Sequence, residues 1–160
     1  MPTNFAGGLN QDIRSQMVDL LNANVVNTIS LTLAVKQAHW NLKGKGFIGV
    51  HELLDDVVER LRDSTDTMAE RAVILGGHAK GTVEIVAEKT TLEAYPLEIQ
   101  EIGEHIAHLK ERFMEVGNAI REAANVAEDA GDMDTADLFT EVSRRVDKDA
   151  WFIGANAEAA

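Results

Sequence analysis

Four stretches of this chain place apolar residues at steps of three and four, the spacing that puts them on one side of an α-helix. They are Ile13 to Leu33 (through Met17, Leu20, Leu21, Val25 and Ile29), Val50 to Leu75 (through Leu54, Val57, Leu61, Met68 and Ala72), Ile102 to Ile120 (through Ile106, Leu109, Phe113 and Val116), and Leu138 to Ile153 (through Phe139, Val142 and Val146). Turn residues separate them: Gly44-Lys45-Gly46 after a first helix ending near Ala38, Gly76-Gly77 after the second, and Gly131 after the third, with Asp132 placed to cap the fourth. The expected fold class is all-α, a four-helix bundle. Between the second and third helices runs a polar connection from about His78 to Glu98, long enough to cross the bundle, with a short helix expected at Thr91-Leu92-Glu93-Ala94 before Pro96. Because of that crossover, the second and third helices need not be antiparallel neighbours.

With 160 residues and 45% hydrophobic content, the chain can bury one sizeable core, so residues 1–160 read as a single domain with short tails at about 1–10 and 155–160. The absence of cysteine excludes disulfides, thiolate metal sites and cysteine nucleophiles, leaving nitrogen and oxygen as the available metal ligands. No signal-peptide pattern and no run of 18 apolar residues is present, so a cytoplasmic protein without a membrane partner is expected. A net charge of −12 suits the attraction of cations and works against a phosphate-binding surface. The first fourteen residues hold one basic side chain, Arg14, and the last seven none, so DNA binding through a basic tail is not expected.

The second helix carries the residues with metal-binding chemistry. His51, Asp55, Asp66 and Glu70 fall at about 0, 40, 60 and 100° around its axis, a single stripe, yet Asp55 and Asp66 are separated by roughly 16 Å along it. One chain cannot close them on the same ion. Two copies crossing antiparallel on a two-fold axis would, because an isologous contact pairs residue i with j and j with i. A crossing point between Arg60 and Leu61 brings His51 opposite Glu70 and Asp55 opposite Asp66 and makes two equivalent sites per dimer. His39, at the end of the first helix, is placed to add a second imidazole. Such a mixed nitrogen and oxygen set suits Fe(II), Mn(II) or Zn(II), and the ligand types do not choose among them. A solvated carboxylate face is the competing reading of the same residues. Glu-x-x-His, the motif of di-metal sites built inside one bundle, is absent from the second helix, which argues against a di-metal oxygenase.

The run Lys36-Gln37-Ala38-His39-Trp40-Asn41-Leu42-Lys43-Gly44, followed by Phe47, His51-Glu52-Leu53-Leu54-Asp55, Asp66-Thr67-Met68-Ala69-Glu70-Arg71 and Leu75-Gly76-Gly77, closely resembles the signature of the Dps family. Asp147-Lys148-Asp149-Ala150-Trp151-Phe152 resembles that family's fourth-helix ending. The resemblance covers about residues 12 to 156. It implies a ferritin-like four-helix bundle assembled from two-fold dimers into a hollow homo-dodecamer. His39, His51 and Asp55 of one subunit would meet Asp66 and Glu70 of its partner at a ferroxidase centre. It further implies that Fe(II) is oxidised there, preferably by hydrogen peroxide, with ferric mineral stored in the cavity, DNA spared oxidative damage, and zinc as a competitor for the site.

By the same resemblance, Asp132, Asp137 and Glu141 would line an iron-entry pore at a three-fold axis, and Trp40 would intercept stray oxidising equivalents. Trp40 also reads as an interface packing residue, and Asp132 as a helix cap. His105 and His108, with Glu101 one turn earlier, form a further imidazole pair that reads as solvent-facing. The alternative function is a nucleoid-associated DNA-binding protein with iron binding secondary.

Overall fold

A computed structural model describes residues 3–157. Five helices account for almost all of its regular structure: α1 (Gln11–Asn41), α2 (Phe47–Ile74), α3 (Val83–Lys89), α4 (Ile102–Asp129) and α5 (Met133–Gly154). The described residues contain no strand, only an isolated bridge between Lys43 and Glu101. Helices α1 and α2 form one long hairpin and α4 and α5 another, with α1 packed on α4 and α2 on α5. This is the ferritin-like bundle, with α2 and α4 on opposite sides, as the long crossover requires.

Most of the apolar stripes read from the sequence meet in the core; the first departs from its expected course at its end, where Leu33 is 57% exposed and Leu31, Val35 and Ala38 are buried instead. Met17, Leu21, Leu31, Leu54, Leu61, Met68, Leu109, Phe113, Ile120 and Phe139 are all buried to within 2%. Each such side chain contributes roughly 1.5–3 kcal/mol relative to exposure. Helix ends follow their local chemistry. Asn10 accepts from the Ile13 amide at the start of α1, and Asp132 accepts from the Thr135 amide at the start of α5. At the ends of α2 and α4, Gly76 (φ +87°) and Gly131 (φ +82°) adopt the left-handed conformation that lets the chain turn away.

The crossover differs from expectation in one respect. Its short helix is α3, at Val83–Lys89, while Thr91–Ala94 is not helical. Helix α3 starts just past Thr82 and buries Val86, whereas Thr90 and Thr91 are drawn into hydrogen bonds with α1. Asn27 Oδ1 accepts from the Thr91 amide (3.0 Å) and the Thr90 hydroxyl (3.1 Å), and its amide nitrogen donates to Thr91 Oγ1 (3.0 Å). Asn22 holds the start of the crossover in the same way, accepting from the Lys80 amide and donating to the His78 carbonyl. These asparagine bonds pair crossover backbone groups that no helix or sheet ladder pairs.

Asn27→Ala is therefore expected to cost about 1–3 kcal/mol through unpaired crossover groups. The sensitive readout is protease nicking between residues 78 and 101, which should accelerate more than global unfolding does.

Helix α1 is long and apolar enough to cross a bilayer by length and composition, although it lacks an uninterrupted apolar run. Of its most apolar window, 61% is buried within the bundle, and Asn22, Asn24, Asn27, Thr28 and Thr32 are buried along it. It is a core helix. The N-terminal residues from Asn4 onward are less tail-like than expected: the Phe5 amide donates to the Ile74 carbonyl, and Ala6 and Leu9 pack on the core. At the other end α5 finishes at Gly154, and the tail from position 158 lies outside the described residues.

Candidate metal centre

The short link from Leu42 to Gly46 folds α2 back on α1 and brings the last turn of one against the first turn of the other. The imidazoles of His39 and His51 stack there, centroids 3.7 Å apart and planes within 16°. Each ring's Nδ1 points at the other residue's main chain: His39 Nδ1 to the His51 carbonyl (2.8 Å) and His51 Nδ1 to the His39 carbonyl (2.9 Å). A carbonyl only accepts, so both Nδ1 atoms carry the proton. In the neutral rings both Nε2 atoms are then left with a lone pair, the arrangement by which an imidazole is fixed for metal ligation.

Asp55 lies one turn beyond His51, and its Oδ1 is 3.5 Å from His39 Nε2. A lone pair facing a carboxylate oxygen at that distance favours a cation between or beside them. The Lys36 ammonium supplies one, 2.7 Å from the same oxygen. Its hydrogen bond holds the Asp55 carboxyl below the usual carboxylate range, with smaller contributions from the nearby His39 and His51. Lys36 lies three residues before His39 on the same helix face. In sequence it is one member of the run over residues 36–44, and spacing alone assigns it no role.

Asp66 and Glu70 stand apart from this group. They are exposed on the second half of α2, about 16 Å or more along the helix from Asp55. Among the described residues, no three His, Asp or Glu side chains converge closely enough to hold an ion within one chain. One subunit thus presents two separated halves of a ligand set: two oriented imidazoles with a carboxylate at one end of α2, and two carboxylates towards the other. Trp40 is 67% exposed beside the first half, with the Lys36 ammonium 5.8 Å from its ring centroid. An indole so exposed at the end of α1 is available for contact with another subunit.

The three acidic residues near the start of α5 are not equivalent. Asp132 is 2% exposed; one carboxylate oxygen caps Thr135 and accepts from Arg71 (3.0 Å), and the other accepts from the Thr135 hydroxyl. The expectation of Asp132 as a pore-lining side chain is corrected to this extent: in the subunit it is a buried helix cap and ion-pair partner, and both of its oxygens are engaged. Asp137 and Glu141 are exposed, and Glu141 accepts from Arg145 (2.8 Å).

The imidazole pair on α4 also departs from its solvent-facing reading. His105 is 1% exposed, and both of its ring nitrogens are engaged, by the Tyr95 hydroxyl and the Ile99 carbonyl. Neither nitrogen is free to ligate a metal.

The pattern described as the ferritin-like domain matches residues 18–159. A relative from Agrobacterium fabrum, a DNA protection during starvation protein, is 46% identical over 150 residues, covering 94% of this chain and 93% of its own. Among solved structures, Mycobacterium smegmatis Dps superposes with a TM-score of 0.93 at 32% identity, covering all of this chain and 96% of that one. Dps from Microbacterium arborescens in the high iron form does so at 0.86 and 33%, covering 94% and 97%. Sequence likeness at this level, sustained from end to end together with the same bundle and crossover, has one consequence: the chain belongs to the Dps family of ferritin-like proteins.

Proposed function

We propose that this protein oxidises and stores iron, taking Fe(II) and hydrogen peroxide as substrates at centres shared between subunits. Two α2 helices crossing antiparallel near Arg60 and Leu61 bring His39, His51 and Asp55 of one subunit to Asp66 and Glu70 of its two-fold partner. Six such dimers make the hollow homo-dodecamer in which ferric mineral accumulates. The observation that carries this reading is the stacked His39–His51 pair. Both Nδ1 atoms are committed to carbonyls, so both Nε2 atoms are presented for ligation beside Asp55.

The chemistry is that of two Fe(II) ions held beside one oxidant. Two Fe(II) ions each give one electron to the same peroxide, which with two protons becomes two waters. Carboxylates favour the ferric product by their charge, and fixed geometry keeps both donors beside one oxidant. When both electrons are delivered together, no hydroxyl radical is released. That is the route by which DNA would be protected in the cytoplasm without a basic tail. Zinc, which accepts the same ligands without redox chemistry, would compete. Exposed Asp137 and Glu141 would draw cations towards an entry pore. An iron-bearing form of a structural neighbour, the Microbacterium arborescens protein, supports iron as the cargo.

The test is anaerobic addition of Fe(II) and peroxide to the purified protein, followed by ferric absorbance and a sizing column. Iron co-eluting with a large shell is expected. Ferric precipitate outside the protein would remove this reading and advance the nucleoid-associated one.

A further inference from the structure

Tyr95 is the only tyrosine in the chain, and it is half-buried against α4 by the end of the crossover. Its hydroxyl lies 2.7 Å from His105 Nδ1. On the other side of that ring, Nε2 is 3.1 Å from the Ile99 carbonyl, which only accepts, so Nε2 carries the ring proton and Nδ1 the lone pair. The phenol is therefore the donor and His105 the acceptor. This is a short hydrogen bond with the length needed for direct proton transfer.

The surroundings keep both partners neutral at rest. Burial pushes the Tyr95 phenol above its usual range, against the opposing pull of Arg112. Burial also pushes the His105 imidazole down, and nearby His108 adds to this; the Ile99 bond and Glu104 oppose it. The Arg112 guanidinium sits 4.9 Å from the Tyr95 ring centroid and is pinned by the carbonyls of Glu93, Ala94 and His108.

The pair is wired to the metal-ligand region by short contacts. The Lys43 amide donates to the Gln100 carbonyl (2.7 Å) and the Ile102 amide to the Lys43 carbonyl (3.2 Å). These bonds clip the entry to α4 onto the link between His39 and His51. From His39 through the end of α1 and its extended cap to Lys43, across one hydrogen bond to Ile102 and along the first turn of α4 to His105, the path is on the order of 15 Å.

We propose that Tyr95 and His105 form a reversible one-electron redox site, in which the phenol yields its electron to an oxidant of the hydroxyl-radical class and its proton to His105 Nδ1. The O–H bond of Tyr95 breaks and an N–H bond forms on His105. Phenol, imidazole and hydroxyl radical become a neutral tyrosyl radical, an imidazolium and hydroxide. Arg112 does not oppose the product on the tyrosine side, because the tyrosyl radical carries no charge, and Glu104 favours the imidazolium. A later Fe(II) returns the electron, the proton moves back from His105, and Fe(III) is left. The site rests on the iron and peroxide reading only for the source of its oxidant, arising when a peroxide meets a single Fe(II).

The iron-free protein tests the site itself. Flash photolysis of a ruthenium tris-bipyridine with a sacrificial acceptor, followed by freeze-quench EPR, should give a tyrosyl spectrum in wild type. Tyr95→Phe, which keeps the ring, should abolish it. His105→Gln should slow its formation by about tenfold, equivalent to about 1.4 kcal/mol in the barrier. Should His105→Gln fail to fold, ENDOR on wild type labelled with nitrogen-15 histidine must show coupling of the radical to a histidine proton or nitrogen. Radical confined to tryptophan, or a tyrosyl signal indifferent to His105 and without that coupling, would overturn the proposal. Repeating the experiment with less than one Fe(II) per site plus peroxide separates the two claims: a radical by flash but not by iron leaves the redox site standing and removes iron chemistry as its source.

Discussion

Removing both stacked imidazoles, by His39→Ala with His51→Ala, is expected to slow peroxide-driven Fe(II) oxidation by about a hundredfold or more. The loss is that of both nitrogen ligands, each already oriented by a main-chain carbonyl. Each Nδ1 is anchored by the other residue's main-chain carbonyl, which an alanine substitution leaves in place, so a single variant keeps the remaining ring's hydrogen bond and loses only the stacking contact. Single variants, which keep one oriented imidazole, should therefore cost less than the double. The bundle should survive, since the two reciprocal bonds contribute roughly 1–3 kcal/mol together and the core residues are untouched. Stopped-flow ferric absorbance, beside a melting curve for each variant, measures both parts.

Asp132→Ala is expected to lower subunit stability by about 3–5 kcal/mol. Arg71 is 13% exposed at its side chain and Asp132 2%, so the substitution strands a nearly buried guanidinium. It also removes the cap from the Thr135 amide and the partner of the Thr135 hydroxyl. Asp137→Asn and Glu141→Gln should leave the melting temperature within a degree or two, as exposed ion pairs contribute at most about 1 kcal/mol. If the acidic residues of α5 guide iron inwards, these two slow uptake without destabilising the fold, and Asp132→Ala does the reverse. Denaturant unfolding and iron-uptake rates on the same three variants separate the roles.

The bundle was legible in the sequence because most of its core obeys the helical period: the large buried residues of the second, third and fourth stripes all lie where the spacing puts them, whereas in α1 Leu31 is buried in place of Leu33 and Leu42 is buried from the link beyond the stripe. The crossover was less so. Val83–Lys89 shows little periodicity in seven residues, and Thr90 and Thr91 are held by an asparagine more than sixty positions earlier, a partner that no local pattern reveals. His39, His51 and Asp55 could be grouped from spacing, and the fold brings them together. The mutual locking of the imidazoles and the Lys36 ammonium on Asp55 depend on the angle between α1 and α2, which spacing does not encode. His105 reads as solvent-facing because Glu101, Glu104 and His108 lie close to it in sequence, yet the crossover folds over that face and buries it under Tyr95. Asp132 shows the same difficulty at a helix end, where one carboxylate can cap, pair or line a pore, and only the position of Arg71 decides.

The shared centre is tested most directly by complementation. One variant lacks His39 and His51, the other Asp66 and Glu70, and each alone should be inactive. When the two are unfolded, mixed and reassembled, every mixed dimer contains one site reduced to Asp55 alone and one site with all five ligands intact. Random pairing would then restore about a quarter of wild-type oxidation, since half of the dimers are mixed and half of their sites are whole. Recovery near that level places the ligands on two subunits, as the account predicts. A mixture as inactive as its parents, with mixed dimers confirmed by mass spectrometry, would contradict it.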